Sequence, residues 1–277
     1  MKSVDTVVKT MDWEKAVQFV RQNGSEVELA RLRYLLDGER PSPDTIEQLF
    51  RGQREDGGFA PFWAQGYSSI DATCYRLALA EQLGLDTNTI EIVDALRFLL
   101  WRQAVDGRFA EHPSVADSAP PWAAPGDLAA EVYLTANAGF WLAFWNFTSA
   151  AQEAANFLTT HLDKSRHKLP SFAQAQWLAC GLAWKLERHE LVEHLSSHFY
   201  AQLPETAGEL AWMLVTLRSI GFPKDRGVVV AGSARLVRMQ AEDGRFPSDE
   251  GQDVHTTLEA LRALEKWYED HPDWPDF

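Results

Sequence analysis

The fold is decided by three stretches of sequence that share one pattern: LFRGQREDGGF at Leu49–Phe59, LWRQAVDGRF at Leu100–Phe109 and VRMQAEDGRF at Val237–Phe246. Each stretch closes with Gln-x-x-Asp-Gly, then Gly or Arg, then Phe. The glutamines of the first two copies are 50 residues apart, and the third follows after 137 residues, close to three more periods of similar size. Self-similarity at such a period indicates an architecture built from repeats.

The chemistry of the shared residues predicts a structural role for the motif. The Asp-Gly pair favours a turn in which the glycine takes the positive φ that ends a helix. The phenylalanine is expected to fold back between neighbouring helices as a buried side chain. The glutamine amide offers two donors and two acceptor lone pairs to backbone groups that are exposed at helix ends.

Helical periodicity fills the chain between these turns. Apolar residues recur at helical spacing, and no clean alternation typical of strands occurs. Start signals such as Ser42-Pro43-Asp44 and stop signals such as Leu83-Gly84 support individual helices. The sequence therefore predicts an all-α protein of six helical hairpins, with helix pairs at about 12–22 and 25–36, 43–54 and 68–84, 89–104 and 127–146, 149–163 and 171–187, 189–202 and 205–221, and 226–241 and 252–269.

The second helices of these pairs are poorer in charge than the first. Leu128–Phe147 contains Glu131 as its single charged residue, and Phe172–Trp184 contains none. An inner ring of helices covered by an outer ring explains the difference, and ring closure removes the need for polar capping repeats. We therefore expect one domain over residues 1–277, a closed (α/α)6 toroid of six inner and six outer helices.

The composition excludes several classes of function. Lys and Arg number 26 against 40 Asp and Glu, a formal net charge of −14, which argues against nucleic-acid binding. The two cysteines cannot form a disulfide framework, and the charged first residues do not resemble a signal peptide, so a cytoplasmic location is expected. The uncharged segment from Val132 to Gln152 is predicted to be a helix buried on all sides rather than a membrane span. Contact with a membrane surface is open but not indicated.

The repeat resembles that of the prenyltransferase and squalene–hopene cyclase family. In that family the Gln-x-x-Asp-Gly-Gly/Arg-Phe motif precedes a helix that begins Asp-x-x-Thr. The copies that fit best here are QREDGGF followed by SSIDATC, and QAEDGRF followed by QDVHTT, although Thr73 stands one place nearer to its aspartate. The resemblance implies an α/α barrel with a central cavity, as in class II terpenoid cyclases and in the β-subunits of protein prenyltransferases.

The first function that the resemblance implies is acid-initiated cyclisation or isomerisation of an apolar, isoprenoid-like small molecule, without a cofactor. Class II cyclases open an inner helix with Asp-x-Asp-Asp-Thr, whose middle aspartate protonates an alkene or epoxide. Asp71 in Ser69–Thr73 matches that aspartate, and its pKa must then be raised by burial or by a neighbouring anion. Asp253 and His255, at the start of the last inner helix, are expected to tune it. The structural alternative is that Asp71 caps its helix.

The second function implied is zinc-dependent prenyl transfer by a β-subunit-like protein that needs a separate partner. That family binds zinc through Asp-x-Cys and a histidine before a threonine, and the matches here are Asp71, Cys74 and His255. Asp71 and Cys74 share a helix face, and the mixed O, S and N ligands suit zinc with an open fourth position. The pair is one residue wider than the family's spacing. A third hypothesis is a binding or scaffold protein that keeps the repeat fold without chemistry.

Aromatic residues make up 12% of the chain, enough to line a cavity and to stabilise carbocations with their π faces. The structural alternative is that they fill the core. Trp63 and Trp122 precede inner helices, where they would cover the mouth of the cavity. The Pro- and Ala-rich connection 112–126 is expected to be a lid or an insertion packed on the rim. The residues predicted to bind substrate are Trp63, Tyr75, Trp122, Asp127, Glu131, Trp141, Trp177 and Trp212.

The acidic residues at the predicted inner helix starts fit a further class of enzyme. A glycosidase on such a barrel needs two carboxylates in its cavity, which Asp71 with Asp127 or Glu131 would supply. The helix dipoles at that mouth favour an anionic group such as a diphosphate or a carboxylate. The chain contains no Asp-Asp-x-x-Asp, so a magnesium-dependent class I terpene synthase is not expected.

Overall fold

The helices predicted from the sequence are present in the structure. The computed structural model describes residues 10–248 and 251–270, with side chains up to residue 265. Within these ranges the chain forms twelve α-helices and no strand, only isolated bridges. The N-terminal segment without signal-peptide character lies mostly outside the described residues. The helices are α1 Trp13–Asn23, α2 Glu26–Asp37, α3 Pro43–Phe50, α4 Ile70–Gln82, α5 Ile90–Arg102, α6 Leu128–Phe144, α7 Thr148–Thr160, α8 Ala173–Lys185, α9 His189–Ala201, α10 Ala207–Ser219, α11 Gly227–Arg238 and α12 Asp253–Asp270.

Local sequence signals set the helix ends. Ser42 caps α3 with a side-chain oxygen that accepts a 3.2 Å hydrogen bond from a backbone N–H of the first turn, as its position before Pro-Asp predicts. The prediction of a helix over 43–54 is too long at its end. The helix stops at Phe50, and Gly52 then takes a φ of 87°. The motif glutamine Gln53 therefore lies in the turn and not in the helix.

The uncharged segment predicted to be a buried helix forms α6. Every residue from Ala130 to Ala143 is buried, so the helix has no exposed polar face. Gly139 lets α7 and α8 approach closely, because an added Cβ would lie 2.8 Å from Ala154 and 2.9 Å from Leu182. No described helix is long and apolar enough to cross a membrane.

The even-numbered helices pack in sequence. Each one from α2 to α10 contacts the next even-numbered helix, and α12 contacts α2. The odd-numbered helices pack on even-numbered ones, most extensively α7 on α6 and α9 on α8, and α9 also contacts α11. The even-numbered helices therefore have more helix neighbours, and α6 and α8 are poor in charge as predicted, whereas α2 and α12 are not.

All three motifs form the same glycine turn. Gly57, Gly107 and Gly244 have φ between 84° and 92°, as the Asp-Gly pair predicts. A Cβ added at these positions would collide with the backbone of α5, α7 and α1 respectively. Each turn therefore requires glycine for two reasons, the positive φ of its backbone and the close approach of an odd-numbered helix.

The motif glutamines bond to backbone groups at helix starts, as predicted. Each Nε2 donates to the carbonyl of its own motif glycine and to a carbonyl at the start of an odd-numbered helix. Gln240 also accepts a 2.8 Å hydrogen bond from the N–H of Asp12, a residue 228 positions away. The second acceptors are Glu91 in α5, Ala150 in α7 and Asp12 before α1.

The motif phenylalanines are buried, also as predicted. Phe59, Phe109 and Phe246 are at most 2% exposed. The backbone N–H of each donates a hydrogen bond of 2.9–3.1 Å to a threonine Oγ1 in the first turns of the following even-numbered helix. The three threonines are Thr73, Thr135 and Thr257.

These threonines set the register between the repeats and correct one alignment. Alignment of the two sequences on the Asp-x-x-Thr pattern pairs Asp71 with Asp253, with one residue missing between Asp71 and Thr73. In the structural register Asp253 corresponds to Ser69, four places before the threonine. The residues two places before the three threonines are Asp71, Tyr133 and His255.

Candidate functional site

A cavity of about 510 Å³ lies between α4, α6, α8, α10 and α12. Its volume falls within the range of pockets that hold small organic ligands. Three of the residues predicted to bind substrate line it, namely Tyr75, Trp141 and Trp212, and so does His255. The aromatic side chains face many polar ones, among them Glu81, Gln82, Gln174, Glu209, Gln252 and Glu259.

Buried ion pairs hold two of the cavity glutamates. Glu81 pairs with Arg262, and Glu259 pairs with Arg31 at 3.1 Å. Arg31 is 3% exposed and Glu259 is 5% exposed, so both charged groups are shielded from water. These arginines lie behind the glutamates and do not line the cavity themselves. The negative charges of the two carboxylates are therefore neutralised by arginines that do not line the cavity.

A hydrogen-bonded network connects α2, α4 and α12 around Arg31. Gln82 accepts from Nε of Arg31 at 2.8 Å and donates to Glu259 at 2.6 Å. Nη1 of Arg31 lies 3.1 Å from Nδ1 of His255. A guanidinium can only donate, so Nδ1 is the acceptor and the proton of the neutral imidazole is on Nε2. Burial, and then the charge of Arg31, lower the pKa of His255, which keeps the ring neutral at neutral pH.

Asp71 contacts α6 and the 112–126 connection. Oδ1 accepts a 2.7 Å hydrogen bond from the Tyr133 hydroxyl and a 3.4 Å one from the Asn137 amide. Oδ2 accepts from the indole N–H of Trp122 at 3.2 Å. Burial raises the pKa of Asp71 above its usual value, although the three donors each oppose that change. The requirement for a raised pKa is met, by burial and not by a neighbouring anion.

The Asp71 cluster lies on the helix faces that continue into the cavity. Tyr75 follows Asp71 by one turn on α4, and Trp141 follows Tyr133 by two turns on α6. Both Tyr75 and Trp141 line the cavity. Asp71 itself does not line the cavity; it stands one turn before Tyr75, at the N-terminal end of α4.

We expect the unfolding free energy of the wild type, relative to Asp71→Asn, to fall as the pH rises from about 4 to about 8. The pKa of Asp71 in the folded protein is raised above its usual 3.8, so the unfolded chain loses this proton first. The stability linked to the protonated carboxyl is complete below the usual pKa and is lost as the pH rises through the raised one. Urea titrations of both proteins across this range measure the difference. A constant or rising difference contradicts the raised pKa.

Tyr133 and Asn137 were not predicted as site residues. They contact each other at 3.4 Å and both donate to Asp71. A signal for Tyr133 exists in the sequence, because it precedes Thr135 as Asp71 precedes Thr73. Asn137 carries no such signal apart from being a polar residue in an uncharged helix.

Glu111 is a third residue that was not predicted from the sequence. Its buried carboxylate accepts from Oγ of Ser69 at 2.7 Å, from the N–H of Ile70 at 2.9 Å and from the Tyr67 hydroxyl at 2.8 Å. Burial raises the pKa of Glu111, and burial, with the Glu111 charge, raises the pKa of Tyr67 to about 12. These bonds hold the first residue of α4, so Glu111 positions the helix start on which Asp71 stands.

The other predicted tryptophans have different environments. Trp122, in a short 3-10 turn of the 112–126 connection that packs on α6, donates to Asp71 and does not line the cavity. Trp63 is half-buried and packs its ring 6.3 Å from that of Tyr67, away from the cavity. Trp177 is fully buried and meets Trp212 edge to face at 5.8 Å. Trp177 therefore supports the cavity wall from behind and does not face a ligand.

The remaining predicted acids have structural partners. Asp127 is exposed and caps α6 through a 3.0 Å bond from the N–H of Ala130. Glu131 and Asp253 pair with the arginines of their motifs, Arg108 at 2.7 Å and Arg245 at 3.3 Å. Among the described residues no contact joins Asp127 or Glu131 to Asp71, and these two acids are engaged in a helix cap and an ion pair. The expectation that Asp253 and His255 tune Asp71 is likewise not met by any contact in the described part of the chain.

The residues matched to a zinc site have separate partners in the structure. Cys74 is 1% exposed, and burial raises the pKa of its thiol well above the usual value, which disfavours the thiolate that binds metal. Both oxygens of Asp71 accept hydrogen bonds, and Nδ1 of His255 faces a guanidinium. Within the described ranges no group of three or more His, Cys, Asp or Glu side chains could hold a metal ion.

The chain matches no protein-family model, and no curated protein matches it in sequence. The resemblance to the prenyltransferase and squalene–hopene cyclase repeat therefore depends on the motif residues alone.

Proposed function

We propose that the twelve described helices form a closed (α/α)6 barrel, with the even-numbered helices as the inner ring. Support comes from the packing of each even-numbered helix against the next, and of α12 against α2. On the outer side, the bonds between Gln240 and Asp12 connect the end of α11 to the start of α1. The cavity is then the space inside the inner ring, and the chain is one domain.

We propose that the protein is an enzyme that starts the cyclisation or isomerisation of an isoprenoid-like substrate by proton transfer from Asp71, without a cofactor. One observation carries the proposal: a carboxyl of raised pKa stands on the helix faces that lead into a cavity with aromatic walls. A raised pKa increases the protonated fraction that a general acid needs near neutral pH.

Each neighbour of Asp71 has a role in the proposed reaction. In the first step the O–H bond of Asp71 breaks, and the proton joins an alkene carbon or an epoxide oxygen of the substrate. The donors Tyr133, Trp122 and Asn137 then stabilise the carboxylate that remains. The substrate cation rearranges and finally loses a proton to water, and the Asp71 carboxylate takes up a proton again from solvent, so the net reaction is an isomerisation.

The aromatic walls stabilise positive charge during the rearrangement. The rings of Tyr75, Trp141 and Trp212 line the cavity, and aromatic faces attract cations through their quadrupole. Trp122 covers Asp71 from the connection 112–126 and limits the access of water to the carboxyl. Exclusion of water protects a cation from capture as an alcohol.

Replacement of Asp71 by asparagine tests this function. Incubated with farnesyl and geranylgeranyl compounds, the wild type should give a cyclised or isomerised product in chromatography with mass detection. Asp71→Asn has no acid proton to donate and should lower the rate by about 100-fold or more. Asp127→Asn is the control, because Asp127 is an exposed N-cap and asparagine caps equally well. Full activity of Asp71→Asn, or equal loss in both variants, contradicts the role of Asp71.

The two alternatives have distinct outcomes. Binding of these compounds by the wild type without any product supports the non-catalytic isoprenoid-binding protein. Zinc-dependent prenyl transfer has less support, because Asp71, Cys74 and His255 have separate surroundings. Zinc found at one ion per chain in the purified protein, and lost with Cys74→Ala, would favour it.

A further inference from the structure

The charges around the cavity are unequal. Three glutamates line it, and none of the lining residues among those described is a lysine or arginine. Glu81 and Glu259 are neutralised by arginines behind them. Glu209 has no such partner among the described residues, and its carboxylate accepts only a 2.9 Å hydrogen bond from the amide of Gln174. One carboxylate at the cavity wall therefore has no arginine or lysine beside it, and only the dipole of the first turn of α10 favours its charge.

The histidine of the cavity does not supply the missing positive charge. Nδ1 of His255 accepts from Arg31, so the ring is held in its neutral form with the proton on Nε2. A second proton on the ring would have to bind to Nδ1, next to the positively charged guanidinium of Arg31. A cationic group of a ligand can therefore pair with Glu209 without competition from a lysine or arginine of the cavity lining.

Aromatic rings stand where such a cation would bind. Trp212 follows Glu209 by three residues on α10, so the two side chains share one helix face. Trp141 and Tyr75 line the same cavity from α6 and α4. A carboxylate together with indole and phenol faces is a combination that attracts an ammonium group more strongly than either does alone.

We propose that the cavity binds a ligand that carries a protonated or quaternary nitrogen on an apolar body, with Glu209 as counter-ion and Trp212 as the adjoining wall. The inference that the ligand has an apolar, isoprenoid-like body depends on the proposed function, whereas the inference that it carries a charged nitrogen depends only on the charges of the cavity. The volume of about 510 Å³ accommodates a small amphiphile of this kind. The substrate class is thereby narrowed from isoprenoid-like compounds in general to amines built on such a chain.

A matched pair of ligands tests the nitrogen. Farnesylamine is protonated at neutral pH, and farnesol is its neutral counterpart of nearly the same shape. Their binding is followed by tryptophan fluorescence below the concentration at which they form micelles. We expect the wild type to bind the amine about tenfold more tightly than the alcohol. Glu209→Gln should reduce that ratio to near one, while Glu205→Gln, an exposed residue four positions earlier, should leave it unchanged.

The outcomes separate this inference from the proposed function. Equal binding of amine and alcohol by the wild type contradicts the proposal that the ligand carries a charged nitrogen. It leaves the proposal of an isoprenoid-binding cavity in place. An amine preference that survives in Glu209→Gln, at unchanged unfolding midpoint, also overturns it. Failure of both ligands to bind overturns the inference and counts against the isoprenoid-like substrate class as well. Trp212→Leu provides an independent check, since it should weaken the amine more than the alcohol.

Discussion

Replacing Gly244 by alanine is expected to destabilise the protein by about 2–4 kcal/mol, because strain and overlap add at this residue. Its φ of 92° disfavours any side chain. A Cβ there would also lie 2.5 Å from the Cβ and 2.6 Å from the carbonyl oxygen of Lys15 in α1. The backbone of α1 cannot move without loosening the bonds between Gln240 and Asp12. Chemical denaturation at neutral pH measures the loss.

Gly221 provides the matched control for this substitution. It has a φ of 76°, but no atom lies within 4 Å of the Cβ that alanine would add. Gly221→Ala should therefore show only the cost of the backbone angle, about 1 kcal/mol. If both variants lose the same amount, the contact between the third motif and α1 does not contribute to stability, and the proposed ring closure loses its support on the outer side.

Replacing Arg31 by methionine is expected to destabilise the protein by about 3–5 kcal/mol, because it leaves the buried carboxylate of Glu259 without a cation. The guanidinium also bonds to Gln82 and His255, so three neighbours in α4 and α12 lose a donor. Methionine keeps most of the side-chain volume, which limits any cavity contribution. The effect should appear in the unfolding free energy, with the folded helix content unchanged.

A nearby arginine separates the effect of burial from the effect of charge. Arg33 pairs with Glu26 at 2.9 Å but is 39% exposed, so Arg33→Met should cost at most about 1 kcal/mol. The double variant Arg31→Met, Glu259→Met should recover part of the loss, since it removes both buried charges. A loss in Arg31→Met no larger than in Arg33→Met would mean that the network does not hold α2 to α4 and α12.

Most of the fold was predictable, because its determinants are local. Helical periodicity gives the α-helices within three residues of their ends, apart from the end of α3. The Asp-Gly turns, the buried motif phenylalanines and the backbone bonds of the motif glutamines follow from the conformational and hydrogen-bonding preferences of those residues. The error at α3 has a local cause as well, because a glycine of positive φ at position 52 interrupts the helix before the motif.

The candidate site was predictable only in part. Asp71 could be selected because it starts an inner-helix sequence, and Tyr75, Trp141 and Trp212 because they are aromatic residues on predicted inner helices. Which acid or base would stand beside Asp71 could not be read from the spacing. Asp253 and His255 were expected there, whereas the neighbours are residues of α6 and of the 112–126 connection. The repeat register, visible only through the threonine bonds, explains the error.

The amino-acid sequence by itself determined the twelve described helices and their turns, since each depends on residues within one or two helical turns of each other. Tertiary structure alone decided that Tyr133 meets Asp71 across 62 positions, and that Arg31 meets Glu259 across 228. Such meetings depend on how each helix is rotated about its axis against its neighbours. That rotation is set by the packing of all the side chains between the helices together, and no local pattern contains it.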